Sequence, residues 1–426
     1  MFRLKIVLTL LFVSLFLLSG CTRDSKEPFV CQDPLGCVIL APGEPVKIVS
    51  MQALTGELGP LGQENVNIAR LAAAQWGGDI HGHPLVIIAE DERCTREGGY
   101  ITAQKIASNP QIVAVHGGTC SISSIPAAEI FSRAGLSMIS GSATAPSLTS
   151  FDGQPGEHWH SGFFRTAPND KFMGYAVAYF SINDLAITRA ATVNDGDPYT
   201  RSLVELFELE YRKIGGETVF SGGVTRGDQN MAPLLHGIEM SGAGMLFFPI
   251  FSPEADYIVN QVATMSGLKD LVLVGADGLV NEPFIKKIRD INREMYFVTP
   301  YMTESHESRK LYDDYADMFG QTIIGTFYGH HYDAARMLFQ ALENTAFIND
   351  EGSLVIGRHT LREEICSLKG FNGLTGRLSC NRFGDCGIPK YKLIRLDNPQ
   401  ATYLSLSKNI ISTFEPGADL NCSEEQ

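Results

Sequence analysis

Ile112-Val113-Ala114-Val115-His116-Gly117-Gly118-Thr119-Cys120-Ser121 is a short β-branched run that breaks into two glycines and ends on a hydroxyl. Such a run reads as a buried strand, the glycines permit close backbone approach, and Ser121 sits where a helix should begin. Ile122 to Ala134 then carries a helical pattern, and Ser137 to Ser140 is again apolar. Upstream the same alternation runs through Val46 to Met51, a helix around Asn65 to Trp76, Pro84 to Glu90 and a helix over Gly98 to Ala107. Repeated βα units predict an α/β fold with a parallel sheet flanked by helices and right-handed crossovers.

A second series follows Phe163-Phe164-Arg165. Helices over Lys171 to Phe180, Thr200 to Ile214, Met231 to Met240, Ala255 to Met265 and Pro283 to Ile291 are interleaved with strands at Ala190 to Asn194, Thr218 to Phe220, Gly244 to Phe248 and Leu271 to Val274. After a strand over Tyr296 to Tyr301 come helical patterns at Ser308 to Phe319, Tyr328 to Thr345 and Leu361 to Leu368, then a strand at Tyr391 to Leu396. A chain of 426 residues is too long for one ordinary core, so two α/β units are expected.

The ends read differently. Arg3 and Lys5 precede an apolar run from Ile6 to Leu18 that stops at Ser19-Gly20-Cys21. The run is shorter than the roughly 20 residues a spanning helix needs, and it reads as a secretory signal over residues 1–20. Leu18-Ser19-Gly20-Cys21 resembles the lipobox of bacterial lipoproteins, which implies lipid on Cys21, a membrane anchor and an extracytoplasmic location. Residues 21–45, polar and dotted with prolines, read as a tether, and residues 417–426 as a loose acidic tail. Export makes disulfides the default for the remaining eight cysteines, Cys31, Cys37, Cys94, Cys120, Cys366, Cys380, Cys386 and Cys422, whose pairing the sequence leaves open.

The charge balance is 34 Lys+Arg against 48 Asp+Glu, with no basic cluster, which argues against nucleic-acid binding. No G-x-S-x-G elbow accompanies His116-Gly117-Gly118-Thr119, so an exported hydrolase is poorly supported. No P-loop or dinucleotide fingerprint is present, and no cofactor is expected. The pairs His81/His83, His158/His160 and His330/His331 lack a recognisable third ligand, so no metal site is expected.

Ligands of open parallel sheets bind beyond the carboxyl ends of the strands, where helix N-termini offer free N–H groups. Ser121, and Thr144 in Gly141-Ser142-Ala143-Thr144-Ala145-Pro146, suit a carboxylate cradle or serve simply as helix caps. Asp277 in Gly275-Ala276-Asp277-Gly278 could take an ammonium group or form a turn, and Tyr199 and Phe251 could supply an aromatic wall.

From Pro45 to Asp397 the sequence resembles the bacterial leucine/isoleucine/valine-binding proteins, type I periplasmic solute-binding proteins of ABC importers. Cys94, Gly118-Thr119-Cys120-Ser121, Ile139 to Thr149, Leu54-Thr55-Gly56, Phe251-Ser252-Pro253-Glu254, Gly275 to Gly278 and Gly373 to Gly376 carry the resemblance in the family's order. The resemblance implies a Cys94–Cys120 disulfide, a ligand carboxylate at Ser121, Ser142, Ala143 and Thr144, and a ligand ammonium at Asp277, usually Glu in leucine-binding members. It places Leu61, Thr119, Tyr199 and Phe251 on the pocket wall, with Leu61 and Phe251 standing where aromatic and tyrosine side chains are common. It further implies two lobes, residues 46–165 plus 301–374 and residues 166–300 plus 375–416. The hinge would be crossed three times, near Arg165, near Thr299 to Tyr301 and near Thr375 to Arg377. The expected function is capture of an amino acid, branched-chain or similar, and delivery to ABC transporter permease subunits. The alternatives are a ligand-sensing lipoprotein and an importer component for amides, urea or aromatic acids.

Overall fold

A computed structural model describes residues 29–417 apart from 292 and 303. The expected signal, the expected lipid site Cys21 and Cys422 lie outside the described residues. Among those described, no helix is long and apolar enough to cross a membrane.

Two sheets organise the chain. The first has the strand order Asp79–Ile80, His83–Asp91, Val46–Gln52, Ile112–Gly117, Met138–Ser140, Phe163–Arg165, parallel except for its two-residue edge. Its central strand alternates faces as a pleated strand must. Val46 and Ile48 pack with Ala69, Leu338 and Phe339 of the helices Gly59–Trp76 and Tyr328–Thr345, whereas Val49 and Met51 pack with Ala103 and Phe131 of the helices Arg96–Ala107 and Ser121–Arg133. A sheet covered on both faces in this way explains the unbroken apolar runs in the sequence.

The second sheet runs Glu217–Gly223, Arg189–Asn194, Met245–Phe247, Val272–Gly275, Met295–Pro300, Tyr391–Leu396, Ile410–Phe414. Its first five strands form the expected parallel sheet, and two antiparallel strands extend it at one edge. The C-terminal strands arrive last and are joined by the short helix Tyr403–Lys408, without the long crossover that parallel pairing requires. Here too the two faces hold separate cores, one with Leu246 and Leu273 and the other with Phe247 and Val274.

Arg165, at the first passage between the lobes, is fully buried. Its Nε donates to Asp385 Oδ1 at 2.6 Å, and its Nη1 donates to the carbonyls of Ala143 and Ala145 at 3.1 and 2.9 Å. That arrangement moves the third passage. Leu378, Cys380 and Cys386 share the core of Phe164 and Leu338, and the Cys386 amide donates to the Arg165 carbonyl at 2.9 Å. Residues 375–386, expected in the second lobe, therefore pack with the first, held there by the Arg165–Asp385 pair and the Cys380–Cys386 bridge. The chain re-enters the second sheet at Tyr391.

The expected tether is likewise corrected for residues 29–45. Cys37–Leu40 pairs antiparallel with Leu354–Gly357, and Cys31 is bonded to Cys37. The helix Arg358–Ser367 has Gly357 as its N-cap residue, with no capping side chain, so Asp33 supplies the cap from 326 residues upstream of His359. Its carboxylate accepts from the amides of His359 and Thr360, both at 2.9 Å, and from the Thr360 hydroxyl at 3.0 Å.

Burial pushes the Asp33 carboxyl up, but the amides of Thr360, His359 and Leu35 together with the Thr360 hydroxyl outweigh it and hold it below the usual range. A depressed carboxyl stabilises the fold above its unfolded pKa and loses that contribution as pH falls through its folded value. Asp33→Ala should cost about 1 kcal/mol in urea unfolding at pH 7, with the difference from the parent shrinking below about pH 4.

Candidate ligand-binding site

The carboxyl ends of the parallel strands of both sheets converge on one cavity of about 60 Å³. That is room for about four to six waters at roughly 10–15 Å³ each, a space suited to a small organic molecule. Leu61, Thr119, Ser121, Ser142, Thr144, Tyr199, Phe251 and Asp277 line it together, eight residues singled out from sequence. Ala143 does not. It is buried behind the loop, its amide donating to Ser140 Oγ at 2.8 Å and its carbonyl held by Arg165.

On the first lobe, the loop 117–120 is braced from below. Glu92, fully buried, accepts from the amides of Thr119 and Cys120, both at 3.0 Å, and a Cβ on Gly118 would come within 2.1 Å of its carboxylate, so only glycine fits. Cys94 and Cys120 are joined, tying this loop to the one after His83–Asp91. The helix Ser121–Arg133 that follows has Cys120 as its N-cap residue and no side-chain cap. Its first amides and the positive end of its dipole are left for an anion. Ser121 Oγ accepts from the Ala145 amide at 3.2 Å, so the hydroxyl proton remains for a ligand.

On the second lobe, Asp277 opens the turn after Val272–Gly275. Its Oδ1 accepts from the Tyr199 hydroxyl and from the Gly278 amide at 2.8 Å. Its Oδ2 is buried without a partner. Tyr199 stacks obliquely on Phe251, ring centroids 5.3 Å apart, which fixes the hydroxyl that orients the carboxylate. Asp170, just before the helix Lys171–Asn183, is also buried, with the Thr144 hydroxyl and the Arg165 charge acting on its carboxyl. No Lys, Arg or His lines the cavity to compensate.

Burial therefore lifts Asp277 to about 6, against the opposing hydrogen bonds from Tyr199 and Gly278. Burial and the neighbouring Asp277 charge raise Asp170 well above the carboxylate range. At the far end of the cavity, burial raises Glu64 to about 8 although the amides of Ile324 and Gly325 oppose it. The remaining wall comes from Leu58, Val280 and Phe327 beside Asn65, Asn281 and Thr326. The arrangement has a donor-rich, electropositive helix end on one lobe and an unpaired carboxylate oxygen, Asp277 Oδ2, on the other, joined by an apolar wall.

Sequence reading missed Asp170, Glu64 and Phe327. Asp170 follows the strand Phe163–Arg165 just as Asp277 follows its own strand, so the strand-end rule extended to that loop would have found it. Glu64 and Phe327 carried no such signal, since one lies inside a helix and the other enters the cavity from a segment between helices.

Residues 45–385 match the model of the periplasmic binding protein family. The Leu/Ile/Val-binding protein of Escherichia coli K12 is 27% identical over 253 residues, 58% of this chain and 66% of that one. Among curated relatives the chain spans from about half to two thirds of their length, 48% and 66% in two of them. The solved structure of LivJ from Streptococcus pneumoniae with isoleucine superposes with a TM-score of 0.72 at 20% identity, covering 87% of this chain and 99% of that one. A solute-binding protein from R. palustris in complex with benzoate gives 0.70 at 15% identity, covering 86% and 98%.

Raised carboxyls lower stability as pH rises from the unfolded to the folded value, because the folded state binds the extra protons. Asp277→Asn, lacking this buried charge, should melt about 2–5 °C above the ligand-free parent at pH 8, with the two converging near pH 5 in thermal unfolding. Two sheets, a cleft between their strand ends and a family match across most of the sequence agree, and the chain belongs to the periplasmic binding protein family.

Proposed function

We propose that this protein is an extracytoplasmic solute-binding protein, anchored by lipid on Cys21, that captures a small α-amino acid with an aliphatic side chain and delivers it to the permease subunits of an ABC importer. The observation that carries the reading is the unpaired Oδ2 of Asp277 in a cavity without basic side chains, opposite a bare helix N-terminus. A carboxylate ligand alone would satisfy the helix end and leave Asp277 buried and repelled. A zwitterion satisfies both ends, because a buried charge is costly alone and tolerable when paired and hydrogen-bonded.

The site thereby favours an amino acid over the benzoate held by its R. palustris relative. The ligand carboxylate is assigned to the first turn of the helix Ser121–Arg133, with the hydroxyls of Ser121 and Thr144. The ammonium is assigned to Asp277, with Asp170 behind it. Leu61, Phe251, Val280 and Phe327 are assigned to the aliphatic side chain. The lobes that close on the ligand are residues 46–165 with 301–388 and residues 166–300 with 391–416, and ligand contacts made only when shut drive closure.

Calorimetric titration at pH 7.5 with a panel of amino acids, amides, urea and aromatic acids tests the reading. Amino acids with aliphatic side chains should bind, and Asp277→Ala should weaken them by about 2–5 kcal/mol. Binding confined to benzoates or urea would overturn it. Since the ammonium requires an ionised partner, affinity in the parent should fall as pH drops through about 6, and this slope should be absent in Asp277→Asn.

A further inference from the structure

Ser142 faces the ligand cavity, and its hydroxyl ends a chain of buried histidines whose proton positions the geometry fixes. His116 Nε2 lies 3.1 Å from the His331 carbonyl oxygen. A carbonyl only accepts, so this nitrogen carries the ring proton, and Nδ1 of the neutral ring accepts from the Ser50 hydroxyl at 3.0 Å. His331 Nδ1 lies 3.2 Å from the same protonated Nε2 and is therefore an acceptor. The His331 proton is then on Nε2, 3.0 Å from Ser142 Oγ, and is donated to it. Burial keeps both rings neutral, lowering His116 to about 4 and His331 well below its ordinary value.

Ser142 spends its own donors elsewhere. Its hydroxyl proton has the Thr119 and Gly118 carbonyls at 3.0 and 3.4 Å, and its amide donates to Ser140 Oγ at 3.1 Å. What remains for the cavity is an oxygen lone pair. A lone pair repels a carboxylate oxygen and welcomes an N–H. The loop has little freedom to turn away, because a Cβ on Gly141 would fall 2.6 Å from the His331 amide nitrogen.

We propose that Ser142 is a specificity-determining acceptor for the ligand's ammonium group, held in that role by the positioning residues His331 and His116, and not a carboxylate donor. The inference rests on the amino-acid reading of the site and reverses the role that family resemblance implied for this residue. It gives the first lobe its own contact to the ammonium, so that this group is gripped from both sides of the cleft.

Two measurements on the full chain decide it. Titration of L-leucine and of 4-methylpentanoate, the same skeleton without the amino group and the weaker ligand because Asp277 stays unpaired, should show Ser142→Ala losing about tenfold or more in affinity for the first, with equal or newly measurable affinity for the second. Equal losses for both would make Ser142 a carboxylate contact and overturn the proposal. His331→Gln, which keeps a donor toward Ser142, should retain most of the discrimination, and His331→Leu should lose it. NMR of protein labelled with ¹⁵N in the histidine rings, recorded without ligand, should show both His116 and His331 neutral and protonated at Nε2. A His331 protonated at Nδ1 overturns the proposal whatever the ligand is. If neither compound binds the parent, the amino-acid reading fails while the ring measurement still decides the acceptor assignment.

Discussion

A buried carboxylate oxygen with no partner, Asp277 Oδ2, is the constraint around which the cleft is built. Leaving such a group unpaired costs on the order of 1–3 kcal/mol, more when it is charged. The surroundings do little to relieve it. Tyr199 and the Gly278 amide hold the other oxygen, and no cation lines the cavity. A fold that keeps this unfavourable arrangement in the cleft between its two sheets, while bracing the facing loop with Glu92 and a disulfide, places the cost where a ligand could remove it.

Much of this was legible in the sequence because strand-to-helix loops are where α/β proteins expose backbone donors. The short runs Ile112 to His116 and Leu271 to Val274, each ending in glycines and a polar residue, led directly to Ser121 and Asp277. Ala143 misled because a residue can belong to a ligand loop while its amide turns inward, here to Ser140. The position of the third passage was hidden for a different reason. Residues 371–386 carry no strong hydrophobic periodicity, and their attachment to the first lobe comes from long-range pairings, above all Arg165 with Asp385. The N-terminal segment was equally opaque, since prolines and polar residues read as linker until Asp33 is seen capping a helix more than 300 residues away.

These long-range attachments have a common effect. Arg165 gathers the carbonyls of Ala143 and Ala145, the Asp385 carboxylate and the Thr149 hydroxyl around the point where the chain first leaves the first lobe. The third passage is pinned beside it by the Cys386 amide. The ligand loop 142–144 is thus built onto the root of the hinge. In the closure proposed above, that loop stays fixed relative to the first sheet while Asp277 approaches it.

What then holds the cleft shut? Across its mouth, Lys287 of the second lobe lies 2.6 Å from Glu57 of the first and 2.9 Å from Asp256 of its own. Lys287 and Glu57 are well exposed, and such pairs contribute only about 0.2–1 kcal/mol. Against this, closing over an ionised Asp277 without a cation removes water from a carboxylate that burial has already driven to about 6. On the reading proposed above, that cost opposes an empty closed cleft above about pH 6, and the exposed bridge returns little against it. An ammonium group reverses the sign of the larger quantity. On that reading, closure is coupled to occupancy by the carboxylate assigned to the ammonium, and the bridge at the mouth needs only to be weak.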